Sequence, residues 1–134
     1  MREFAARLMA HEAAAARSAD PGVSAAFAVP DRMRTQIAML AGNGGHRALL
    51  MRTLALAGSE VSWLRNSRVG ADGHLEGPNL SVVPVDPDEV TKGGIELVAQ
   101  LIGLLVAFIG ERLTLQLVRE VWPKLPAKDL NFNI

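Results

Sequence analysis

The longest apolar run in the chain, Gly94–Trp122, reads GIELVAQLIGLLVAFIGERLTLQLVREVW and contains no proline. Between Leu97 and Gly110 its one strongly polar side chain is Gln100. A helix with this pattern cannot leave half its circumference in water. It is a central core helix, a subunit-interface helix or a membrane span. One stripe runs along it at intervals of three and four residues: Glu96, Gln100, Gly103, Ala107, Gly110 or Glu111, and Thr114. The remaining circumference is Leu, Ile, Val and Phe. Two faces therefore need apolar cover, and the small residues on the stripe allow another backbone to approach.

A second pattern lies upstream. Leu50, Leu54, Ala57, Val61 and Leu64 alternate spacings of four and three, the seam of two helices packed side by side. They predict a helix over 46–66. Met33, Ile37 and Leu40 predict the buried stripe of a shorter helix over 31–41, stopped by Gly42-Asn43-Gly44-Gly45. Phe4, Leu8, His11 and Ala15 share a narrow face of a first helix over 3–18, which ends at Asp20-Pro21-Gly22. The short apolar stretch 23–29 ends at Pro30.

The helical period fails over about 67–86. There, Asp72-Gly73 between Val69 and Leu75 is compatible with a small hairpin, and Pro78, Pro84 and Pro87 oppose helix. Asp86-Pro87-Asp88-Glu89 then reads as a helix start, with Asp86 as cap and Pro87 in the first helical position. Gly93-Gly94 is a point where the helix can kink or break before the run to Trp122. Residues 123–134 read as a C-terminal tail.

Together these patterns predict an all-α fold. It is one helical domain over 1–134, a bundle of about four to five helices with a long apolar C-terminal helix and one long irregular connection. Glu96 and the Glu111-Arg112 pair stand too close together for a favoured membrane span, which needs about 20 apolar residues. The favoured reading is a core helix that also forms a contact surface. Its interface residues are Leu97, Leu101, Leu104, Leu105, Phe108 and Ile109. The expected partner is a second copy, giving a homodimer, or another protein domain.

Composition narrows the chemistry. The 134 residues carry 14 basic and 14 acidic side chains, so no global charge favours nucleic acid or an anionic membrane. Cysteine is absent, which removes disulfides, thiolate catalysis and cysteine-based metal centres. Tyrosine is absent as well, and stacking platforms are scarce. Glu3, Arg7 and Glu12 interrupt any signal-like apolar region, and the expected location is cytoplasmic.

No catalytic, cofactor or metal constellation stands out. His11-Glu12 resembles the phosphoacceptor pair of sensor kinases, but alanines follow it and the proline often found five residues on is missing. His46 opens a predicted helix without the lysine and small residues of a phosphotransfer site. His74, beside Asp72 and Glu76, lacks a fixed ligand set. Gly42-Asn43-Gly44-Gly45 has no P-loop lysine after it. Arg32, Arg34, Arg47 and Arg52 would serve a helix-turn-helix over 31–66, yet no helix has a continuous basic face.

The expectation is a non-catalytic regulatory or interaction module of a bacterial signalling protein. One alternative is a sensor with a small apolar ligand between helices, oriented by Gln100, Trp63 or His11. The other is a histidine phosphotransfer or dimerisation domain.

Overall fold

The structure, a computed structural model, describes residues 1–15, 21–70, 73, 75–76, 87–126, 128 and 130. Its helices are α1 (Arg2–Ala15), α2 (Pro21–Glu60), α3 (Pro87–Ile109) and α4 (Glu111–Val121), packed into an all-α bundle. A 3₁₀ turn, Ser62–Asn66, follows α2. Two short antiparallel strands, β1 (Arg68–Val69) and β2 (Leu75–Glu76), pair Arg68 with Glu76 and Val69 with Leu75. This is the small hairpin at Asp72-Gly73, and Gly73 makes its turn at φ 86°. The expected cap Asp86 and the remainder of the irregular connection, 77–86, lie outside the described residues.

Three boundaries differ from the sequence reading. First, α2 starts at Pro21 rather than Asp31 and passes through Pro30; the expected glycine break follows at Gly42, with φ 78° and ψ 168°, where two helical limbs meet across a kink. Val29, Met33 and Ile37, spaced by four, are buried. Covering that stripe outweighs the hydrogen bond that Pro30 removes. The glycine break is thus one residue rather than four. Gly42 supplies the positive φ, and a Cβ on Gly45 would stand 2.8 Å from that of Ala41.

Second, α2 ends at Glu60, because Val61 is extended at φ −127°. The Arg65 Nε donates to the Gly58 carbonyl at 2.9 Å and closes the turn that follows. The predicted seam survives this change: Leu50, Leu54, Ala57, Val61 and Leu64 are all buried.

Third, the long C-terminal helix starts at Pro87, as read, but ends earlier than read. Pro87 opens α3, which runs through Gly93 and Gly94 unbroken; both are buried. It stops at Ile109. Gly110, at φ 89° and ψ 162°, separates it from α4. Gly110 N–H still donates to the Val106 carbonyl at 2.9 Å. Its own carbonyl accepts from Thr114 N–H at 3.1 Å and Thr114 Oγ1 at 2.7 Å. Gly110 ends one helix at positive φ and extended ψ, a region open essentially to glycine, and the same residue starts the next.

The core gathers Phe4, Leu8, Met33, Leu50, Leu97 and Leu101 among others. α2 and α3 form the most extensive packing, α1 lies on both, and α4 folds back onto α3 and α2. The segment read as a tail is partly anchored: Leu125 is buried and Leu130 packs against the core.

Candidate interaction surface

The two glycine breaks organise the surface. α2 bends at Gly42 into a first and a second limb. α3 and α4 bend apart at Gly110. Residues from the end of α3 (Leu105, Phe108 and Ile109) line a groove of about 390 Å³ together with Leu40, Ala48 and Arg52 from either side of the α2 bend. α4 instead borders the first limb. Leu113 and Glu120 line a smaller groove of about 160 Å³ with Gln36, Met39 and Leu40. Leu40 borders both, so the two depressions form one surface across the corners.

That surface is apolar and open. Met39 is 81% exposed, Phe108 69%, Leu40 54% and Leu113 41%. Single exposed apolar residues are ordinary, whereas a contiguous group around a groove marks a contact site. Each groove carries one fully charged side chain, Arg52 in the larger and Glu120 in the smaller. Both are exposed, and neither forms an ion pair among the described residues.

The six residues expected at an interface divide. Leu97, Leu101 and Leu105 are buried by this chain's own helices. Leu104 and Ile109 are half-buried, and Phe108 is exposed. A single copy already covers the first three. Leu40, expected in a buried stripe with Met33 and Ile37, is instead exposed and borders both grooves. Leu113, one turn before the buried Leu117 on α4, is exposed and borders the smaller groove. Met39 was not expected here. On the small-residue stripe, Gly103 has open space where a Cβ would stand, and Ala107 is exposed.

Polar chemistry lies elsewhere, and two buried carboxylates account for much of it. Glu12 is 2% exposed. It accepts from Trp122 Nε1 at 2.9 Å and from Arg32 Nε, tying α1 to α2 and to the end of α4. It occupies the buried position expected for its neighbour His11, which is half-buried. Glu96 accepts from Arg2 Nε at 3.0 Å and from Gln100 Nε2 at 2.9 Å. Burial raises the Glu96 pKa. The Gln100 and Arg2 hydrogen bonds, with the charges of Arg2 and Lys92, outweigh that and hold the carboxyl below its ordinary value.

The candidate ligand and catalytic groups do not converge. His46 is 2% exposed and lies under the hairpin, its Nδ1 being 3.1 Å from where a Cβ on Gly73 would stand. A phosphoacceptor ring needs an open approach. His74 and Asp72 lie outside the described residues, among which no three His, Cys, Asp or Glu could hold a metal. Gln100 is engaged by Glu96, and neither it nor His11 lines the apolar groove. The four arginines disperse: Arg32 binds Glu12, Arg47 donates to the Gly70 carbonyl at 3.3 Å, Arg34 packs near Gly73, and Arg52 lines the groove.

Among the described residues one helix, Asp88–Ile109, is long and apolar enough to cross a membrane, and half of its apolar window is buried inside the protein. Comparison with protein-family models, curated proteins and solved structures finds no match to this chain.

Proposed function

We propose that this chain is a non-catalytic helical interaction module that self-associates through the surface at the Gly42 and Gly110 corners. It would serve a regulatory or signalling protein of the bacterial cytoplasm, a role that needs apolar helix faces and little chemistry. The observation that carries the reading is the exposure of Phe108, Met39 and Leu40 around one apolar groove. Burying a side chain of this size is worth roughly 1.5–3 kcal/mol relative to leaving it in water. Several such residues together approach the net stability of a domain, about 5–15 kcal/mol. A second copy recovers that energy.

Light scattering tests the reading. The wild-type chain runs at twice its 14.3 kDa monomer mass, and Phe108→Glu runs as a folded monomer. A wild-type protein that stays monomeric at high micromolar concentration overturns it.

The groove also favours a second reading, a sensor for a small apolar ligand. Its volume of about 390 Å³ is within the range of ligand pockets. Binding of an apolar fluorescent dye to a monomeric protein, lost in Leu40→Glu, would favour this reading over self-association.

A further inference from the structure

The two grooves carry opposite charges on opposite sides of the corner. Arg52 lies about 10 Å beyond Gly45 on the second limb of α2, at ~1.5 Å per helical residue. It lines the groove shared with α3. Glu120 lies about 10 Å beyond Leu113 on α4 by the same rise. It lines the groove shared with the first limb. The apolar centre, Leu40 with Phe108 and Leu113, stands between them. Arg52 and Glu120 are exposed, and neither has an ion-pair partner among the described residues.

A closed two-fold dimer brings the same patch of both copies together, so that residue i meets j and j meets i. A patch with an apolar middle, a cation on one side and an anion on the other is self-complementary under that operation. We infer that the occupant of this surface is a second copy of the chain in a two-fold arrangement, with Arg52 of each copy facing Glu120 of the other. The apolar centre supplies the association, and the two symmetry-related pairs fix its direction. A parallel overlay would put Arg52 against Arg52 and is disfavoured by like charge. This inference rests on the self-association proposed above and adds its geometry.

Charge reversal distinguishes the two claims. Dimer dissociation constants are measured by sedimentation equilibrium for Arg52→Glu, Glu120→Arg, their equimolar mixture and the double variant, with circular dichroism to confirm helix content. Each single variant creates two like-charge contacts and weakens its own dimer about ten-fold or more at low salt. The mixture restores both opposite-charge pairs in a heterodimer, and the double variant restores them in a homodimer. Both return to within about three-fold of wild type, an agreement that a folding defect would not produce.

If the single variants dimerise like wild type, or neither combination recovers, the pairing is wrong. Self-association then still stands provided that Phe108→Glu abolishes it. A wild-type monomer removes both claims.

Discussion

The two ends of α3 lie on one helix and have different surroundings. Around Leu97 and Leu101 the apolar side chains are fully covered, and the nearby carboxylate of Glu96 is held by Arg2 and Gln100. Two turns beyond Leu101, Phe108 is 69% exposed. Leu101 and Phe108 are both large and apolar, so residue type does not separate them. Which neighbours the chain supplies does. α1 and α2 pack on α3 and cover its first part, whereas its end, with Phe108, lines an open groove between the two limbs of α2. The lesson is that apolarity in a sequence marks surface that must be covered but does not say by what.

The strongest way to break the comparison is to empty the covered end. Leu101 is fully buried, so Leu101→Ala removes apolar contact and leaves a cavity. It should lower the unfolding free energy by about 2–5 kcal/mol in chemical denaturation. A loss below about 1 kcal/mol would mean that this end of α3 is packed no better than the other.

A smaller effect is expected at the bend. Gly110 has open space where a Cβ would stand, so Gly110→Ala meets no clash, but φ 89° is strained for alanine. The cost should be about 1–3 kcal/mol. The alternative is that alanine straightens α3 into α4. That would displace Thr114 and Leu117 from the core, and it would appear as a much larger loss of stability.

These two residues also show how much was legible. The all-α class, the Leu50–Leu64 seam, the hairpin at Asp72-Gly73 and the start of α3 at Pro87 follow from local rules of period, turn and cap. The break at Gly110 is legible too. The buried row Leu97, Leu101 and Leu105 would continue through Ile109 into Arg112 and Gln116 in an unbroken helix, and both of those are polar and exposed. A glycine at that change of phase is a helix end. The passage of α2 through Pro30 was not legible, because tertiary cover of Val29, Met33 and Ile37 decides it. Of the six apolar residues named on α3, Leu105, Phe108 and Ile109 line the larger groove. Period alone does not separate them from Leu97 and Leu101, which the chain's own helices bury. It also places Leu40 in the core, because Leu40 continues the Met33 and Ile37 stripe and period does not say where cover ends.

The covered end carries a pH signature. Because the Glu96 carboxyl in the folded protein is held below its ordinary value, the folded state favours the ionised form. Its stabilisation is present above the unfolded carboxylate pKa and is lost as pH falls through the lower folded one. The difference in unfolding free energy between wild type and Glu96→Gln should therefore be largest near neutral pH and should shrink on acidification. A constant difference from neutral pH to pH 3 would show that packing, not ionisation, makes Glu96 matter.

The smallest effect on the fold is expected at Phe108, which is where the comparison is sharpest. An exposed side chain gives the monomer little, so Phe108→Ser should change unfolding free energy by no more than about 0.5 kcal/mol. The measurement must be made at concentrations low enough for wild type to be monomeric, because association adds concentration-dependent stability. Raised to dimerising concentrations, wild type should gain stability and Phe108→Ser should not. If Phe108→Ser instead costs as much as Leu101→Ala in the dilute monomer, the end of α3 belongs to the core. The proposal that one copy recognises another through the exposed corner would then fall.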